Sequence, residues 1–352
     1  METIRIGIVG AGGIVRSRHM PGLSEIEGVQ VTAVCNSTVK SGEAFAAEYG
    51  IPRVYEEYTE LVTSDEVDAV LIGTPPYMHR PVTLAALEAG KHVFCQARMA
   101  MNAKEAAEMV RAQERTGLVG MVCPAPVGLT GDRHMQALLQ EGYVGEVYSI
   151  RACECTDSWA DPETEFHWRL DRSKSGVNTL AVGLYVEWVH RWFGPTARIS
   201  AHIEHCITER RDPASGEMRH VDTPDIVLVH GRMASGAAVS YEFNGVRWGA
   251  EEKWIEVNGS LGSLRYLRGK DEIVGARNGE GPAVIPTPEY LVRRWDVERI
   301  WIDAIRKGTP VSPSFQDGLR YMDVTEAVYR SVRTGCAVDL PLSDETRNTP
   351  AF

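Results

Sequence analysis

The sequence predicts an α/β protein of two domains, a parallel sheet with helices followed by an α/β domain built on a mostly antiparallel sheet. Three observations predict it. At 352 residues the chain exceeds what one hydrophobic core usually supports. Up to about residue 123, short apolar runs alternate with helical patterns, as βαβ units with right-handed crossovers require. Beyond Pro124 the runs lengthen and alternate apolar with polar residues, which suits strands with one covered and one wetter face. Domains are therefore expected over 1–123 and 124–340, with a C-terminal tail over 341–352.

In the first domain, buried strands are expected at Ile4–Val9, Val29–Cys35, Ala69–Ile72, His92–Cys95 and Val119–Cys123. Helices are expected at Ser41–Tyr49, Pro81–Ala89 and Ala103–Thr116. In the second domain, strands are expected at Val144–Cys155, Ile199–Cys206, Asp225–Met233, Ala237–Phe243, Trp254–Asn258 and Ser263–Tyr266. Helices near Val292–Lys307 and Asp317–Thr334 follow, with Gly308 and Gly335 placed to stop them.

With 43% apolar and 24% charged residues, the composition is that of an ordinary globular protein. A net charge of −11 without a basic stretch argues against nucleic acid and anionic membrane as partners. No apolar run approaches the ~18 residues of a membrane span, and no signal-peptide pattern follows Met1. Seven dispersed cysteines fit reduced thiols, so a cytoplasmic protein is expected. Cys153 and Cys155 should share one face of a strand, but no second Cys/His pair has ligand spacing, and no metal site is expected.

Gly10-Ala11-Gly12-Gly13-Ile14-Val15 follows the first strand and opens the first helix. Gly10 permits the tight turn, Gly12 lets the backbone approach a pyrophosphate, and the helix start offers unpaired N–H groups to that anion. In its strand–turn–helix context this reads as a Rossmann dinucleotide loop, an ordinary glycine turn being the rival. Val15 stands where a third glycine is usual, which implies looser helix–strand packing. The second strand ends at Cys35-Asn36-Ser37, without the carboxylate that usually holds the adenosine ribose. Asn36 would not repel a 2′-phosphate, and Ser37 and Lys40 are placed to receive one. NAD and NADP both remain open, with a tilt towards NADP.

These motifs resemble the glucose–fructose oxidoreductase, inositol dehydrogenase and MocA family. Besides the glycine loop, Thr74-Pro75-Pro76-Tyr77-Met78-His79 is similar to its T-P-x-x-x-H loop. Ala85–Cys95 matches the run into its E-K-P motif, Gly145-Glu146-Val147 resembles the opening of its second domain, and Trp254–Leu264 resembles a late strand pair. Gly308–Pro313 and Asp317–Val338 resemble its closing helices, so the similarity covers nearly the whole chain. The resemblance implies a large open second sheet, a homodimer or homotetramer formed through it, and a small-molecule substrate. It also implies that Thr74, Pro75 and Gln96 touch cofactor, and that His79 touches the cofactor or the substrate entrance.

The family's catalytic positions are changed. E-K-P reads Gln96-Ala97-Arg98, so the lysine is gone and Arg98 offers charge without ready proton transfer. The family's D-x-G-x-H aligns with Ala181-Val182-Gly183-Leu184-Tyr185. Tyr185 stands in the histidine's place as an acid–base candidate, a packed core tyrosine being the rival. His167 is the second candidate base, with a surface loop histidine as its rival. Trp168, Arg169 and Asn178 are candidates for holding substrate. Three functions follow: an NAD(P)-dependent oxidoreductase of a sugar, cyclitol or related compound; a redox-neutral lyase or glycosidase that recycles its cofactor; or a non-catalytic dinucleotide sensor.

Overall fold

The computed structural model describes residues 3–123 and 129–351. Contacts divide the chain into two units, Met1–Pro124 with Trp295–Leu319, and Ala125–Arg294 with Arg320–Phe352. Two segments thus differ from the domain limits expected above. Residues 295–319 fold with the first unit, where Trp301 is buried and its ring lies 5.5 Å from that of Phe94. The tail folds with the second, where Arg347 pairs with the buried Asp323.

The first unit holds strands β1 (Ile4–Val9), β2 (Val29–Cys35), β3 (Arg53–Tyr55), β4 (Ala69–Ile72), β5 (His92–Cys95) and β6 (Gly120–Val122). They form one parallel six-stranded sheet in the order β3-β2-β1-β4-β5-β6. That order reverses between β1 and β4, and ligands of open α/β sheets bind beyond the carboxyl ends at such a switch. Ala69–Ile72 is buried at every position, as a central strand covered on both faces demands. Helices α1 (Met20–Ser24), α2 (Val39–Tyr49), α3 (Tyr58–Thr63), α4 (His79–Glu88) and α5 (Ala103–Thr116) lie between strands. α2 and α5 start on Thr38 and Asn102, whose side chains accept N–H bonds, and end on left-handed Gly50 and Gly117.

The second unit carries helices α6 (Asp132–Gln140), α7 (Arg172–Ser175) and α8 (Val182–Phe193) and strands β7 (Val147–Cys155) and β8 (Thr196–Glu204). A small hairpin, β9 (Glu209–Arg211) and β10 (Met218–His220), stands apart as its own sheet. Then come β11 (Ile226–Met233), β12 (Ala238–Asn244), β13 (Glu252–Gly259), β14 (Gly262–Leu267), β15 (Glu272–Arg277) and β16 (Ala283–Ile285). α9 (Val297–Lys307) belongs to the first unit, α10 (Phe315–Thr334) follows it, and β17 (Val338–Asp339) and α11 (Asp344–Asn348) close the chain. β7, β8 and β11–β17 make a nine-stranded sheet, antiparallel except where β12 meets β7. β12 alternates exposed and buried side chains, so one face is covered and the other wetter, as its sequence predicts. α9 ends on Gly308 at φ 62°, and Gly335 after α10 also has a left-handed φ. Among the described residues no helix is long and apolar enough to cross a membrane.

Candidate active site

The glycine loop lies at the carboxyl end of β1. Gly10 has φ +87°, and a Cβ there would sit 2.5 Å from Thr74 Cγ2 and 2.7 Å from the Thr74 nitrogen. Nothing lies within 4 Å of a Cβ built on Gly12 or Gly13, so the space in front of the helix start is open. Ile14 follows, exposed, and the first helical bond runs from the Arg16 N–H to the Gly12 carbonyl. The N–H groups of the first turn precede any helical acceptor and are available to an anion. Val15, expected to loosen the packing, is fully buried, and a Cβ on Gly73 would come within 2.5 Å of its methyl. The glycine missing from the helix is supplied by the facing strand, so the packing stays tight.

Thr74 follows β4 beside this loop. Its hydroxyl oxygen is buried and without a hydrogen-bond partner, a costly state that a ligand oxygen or amide would relieve. Pro75 caps the short turn Pro76–Met78. His79 corrects the expected cofactor contact. It is fully buried, with Nε2 2.7 Å from the Thr74 carbonyl and Nδ1 3.0 Å from that of Arg98. Burial holds its imidazolium below the usual pKa, and the ring ties two loops together with no surface left for cofactor.

Asn36 is half-buried at the end of β2, while Ser37 and Lys40 are exposed in the turn into α2, which Thr38 caps. Gln96, at the end of β5, is 8% exposed. Its carboxamide oxygen accepts from the Ala97 N–H, and its Nε2 meets Nε2 of the buried His19, whose Nδ1 is bonded to the buried Glu298. That chain fixes the tautomer: Nδ1–H donates to Glu298, and Nε2 accepts from Gln96. Trp295 donates to the same carboxylate. Sequence reasoning missed His19 and Glu298; the one local signal is that His19 shares a buried helix face with Val15, four residues earlier. Arg98 is half-buried two residues beyond Gln96.

In the second unit, Phe166 to Arg169 follow a loop held by buried Arg210, which donates to the carbonyls of Trp159, Asp161 and Thr164, and the Phe166 N–H donates to the Arg211 carbonyl. Trp168 is half-buried, and the exposed Arg169 stacks its guanidinium 4.4 Å from that ring. His167 Nδ1 accepts from the Arg169 N–H at 3.2 Å, so its proton is on Nε2. Burial, then Arg169, hold its imidazolium below the usual pKa. A base at Nε2 would need the other tautomer and would forfeit that bond, which argues against His167 as the base. Asn178 is buried and donates to the Ser175 carbonyl at 2.7 Å. Leu180 has φ 43°, a strained left-handed backbone directly before Ala181.

Tyr185 is a second correction. Its ring is fully buried, edge-on to Trp188 at 4.7 Å and to Phe243 at 5.5 Å. The hydroxyl makes no well-formed hydrogen bond, although Arg268 and Glu154 lie near it, and burial raises its pKa far above the ordinary value. Core packing outweighs the motif position. Tyr185→Phe is expected to leave turnover of any substrate found within twofold. It should keep or raise stability by up to about 1 kcal/mol, since an unpaired buried polar group is lost. A melt and a pH–rate profile check this; a tenfold loss of turnover would restore Tyr185 to the chemistry.

Comparisons with known proteins agree with this architecture. Residues 4–123 match the model of an oxidoreductase family with NAD-binding Rossmann fold, and residues 133–265 match a GFO/IDH/MocA C-terminal domain. A 1,5-anhydro-D-fructose reductase from Ensifer adhaerens is 33% identical over 96% of this chain and 98% of its own. Inositol 2-dehydrogenase 1 from Saccharopolyspora erythraea is 25% identical over 97% and 98%. The solved structure of a levoglucosan dehydrogenase with NADH and L-sorbose superposes with TM-score 0.87 at 22% identity, covering 97% and 100%. The chain belongs to the GFO/IDH/MocA oxidoreductase family.

Proposed function

We propose that this chain exchanges hydride between a nicotinamide dinucleotide and a sugar, cyclitol or related hydroxyl or carbonyl compound. The carrying observation is the open cradle at Gly12 and Gly13 beside the unpartnered Thr74 hydroxyl. Those residues fit a dinucleotide. The amides of Gly12, Gly13 and Ile14 would hold its diphosphate, with Thr74 and Pro75 beside them and Asn36, Ser37 and Lys40 towards the adenosine ribose. Gln96, oriented by His19, stands at the carboxyl end of the neighbouring β5. When bound, the dinucleotide supplies the hydride chemistry at its nicotinamide ring. The substrate class is supported by the sugar and cyclitol names of the relatives.

Proton handling falls to donors rather than to a base. His167 with its proton on Nε2 is a neutral donor, a role imidazole fills in sites that polarise a carbonyl. Arg98 of the first unit stays protonated and could offset charge on a substrate oxygen, and Arg169 of the second unit has the same capacity. The proton itself exchanges with water. Fluorescence titration with NADH and NADPH, then nicotinamide absorbance over a panel of polyols and keto sugars, tests this proposal. Binding of neither nucleotide would sink it; product formed without net reduction would favour the redox-neutral alternative.

At the ribose end, the absence of a carboxylate at Asn36 and the exposed Lys40 favour NADP. Lys40→Glu is expected to weaken NADPH about tenfold, ~1.4 kcal/mol, while leaving NADH within twofold. Equal losses for the two nucleotides would remove the preference. The wetter face of the large sheet, with Trp254 between the guanidiniums of Arg151 and Arg265, supports self-association through it. Sedimentation of wild type and Trp254→Glu tests that reading.

A further inference from the structure

A groove of about 850 Å³ lies at the amino-terminal edge of the parallel sheet, remote from the glycine loop. β1 alone, running from Ile4 at the groove to Val9 beside the loop, separates the two by roughly 17 Å. Arg5 enters from β1, Lys91 and His92 from the start of β5, and Asp303, Arg306 and Lys307 from the last turns of α9, all within the first unit.

The groove's charges do not cancel. Asp68, its other carboxylate, is spent on Arg5, whose terminal nitrogen lies 2.6 Å from Oδ1 while Nε and the backbone N–H reach Oδ2. Asp303 pairs with Lys307 at 3.1 Å. Lys91 donates to the Ser64 carbonyl at 3.0 Å. Arg306 donates to the carbonyls of Glu27 and Gly28, before β2, and its Nε is buried without a partner. Backbone carbonyls satisfy hydrogen bonds without neutralising a full charge. Although Lys91 also feels Asp68, the lining holds four cations, Arg5, Lys91, Arg306 and Lys307, against two carboxylates, in a chain whose net charge is −11. His92 adds a neutral donor: its Nδ1 accepts from the Val119 N–H, so the ring proton is on Nε2, and burial holds its imidazolium below the usual pKa.

We propose that this groove binds a dianionic phosphate or phosphate ester, a second anion site distinct from the dinucleotide cradle. Lys91 supplies a point charge and Arg306 a planar donor, the pairing that phosphate oxygens favour. The groove is large enough for a phosphorylated small molecule, so the site would let a phosphorylated metabolite act on the nucleotide-binding unit from its far end.

The test uses inorganic phosphate on full-length protein saturated with NADH, which fills the cradle, with chloride at equal ionic strength as reference. Phosphate is expected to raise the melting temperature beyond chloride. Lys91→Gln and Arg306→Gln should each weaken phosphate about tenfold while NADH affinity stays within twofold. If Arg306→Gln fails to fold, Lys91→Gln carries the test. No phosphate-specific shift, or equal shifts in wild type and Lys91→Gln, would overturn the proposal. If NADH itself does not bind, the proposed function fails, while the same titration without nucleotide still decides the groove.

Discussion

Asp132→Ala is expected to cost the second unit about 3–5 kcal/mol, the range for removing one partner of a buried charge cluster. Asp132 opens α6 with no exposed surface. Its Oδ2 lies 2.9 Å from Arg293 and 3.1 Å from Arg191, and its Oδ1 accepts from the Trp192 indole N–H at 2.9 Å. One carboxylate thus fastens α6, the end of α8 and the segment before α9. Alanine would remove the carboxylate that two guanidiniums and an indole N–H share, and loss of that counter-charge beside largely desolvated groups dominates the cost. Asp132→Asn keeps an acceptor for Trp192 but loses the charge, so its cost should fall between wild type and alanine. Denaturant unfolding of the full chain measures both. A loss under about 1 kcal/mol for alanine would mean that water reaches the cluster. Because α8 starts on Ala181 as its cap and carries Tyr185, the same variant should loosen that helix, visible as faster amide exchange over Val182–Phe193.

The strands of the first unit were legible because parallel strands buried on both faces read as unbroken apolar runs, and four of the five expected have the predicted bounds. β3, β16 and β17 are two or three residues long, too short for any period to appear. The glycine loop was legible because its requirement is local: a positive φ and an open helix start are set by neighbouring residues. The rest of the site is not local. His19 meets Glu298 across 279 positions of sequence, and Asp132 meets Arg293 across 161. No periodicity connects such partners, and a lone charged residue reads as solvated. Tyr185 shows the reverse limit. Alignment with a motif gave its position, but whether a hydroxyl reaches substrate depends on which way its helix face packs, and here that face meets Phe243.

Gly10→Ala and Gly12→Ala should separate folding from cofactor binding. At Gly10 a methyl carries two penalties. An alanine at φ +87° costs roughly 1–2 kcal/mol in backbone strain. Its Cβ would also meet the Thr74 nitrogen at 2.7 Å and the Gly73 carbonyl carbon at 2.9 Å, backbone atoms that cannot swing aside. Gly73 is itself tied to β1 through its N–H bond to the Val9 carbonyl, so relief would require parting two central strands. A loss of about 2–4 kcal/mol is expected, with dinucleotide affinity reduced at least a hundredfold. At Gly12 the same methyl meets no atom within 4 Å, so the fold should melt as wild type does. Yet that methyl would occupy the space where a diphosphate must approach the helix start, and NADH affinity should fall tenfold or more. Melting curves and fluorescence titrations of the two variants check this contrast. A Gly12→Ala protein that binds NADH as tightly as wild type would place the diphosphate elsewhere and remove the observation on which the proposed function rests.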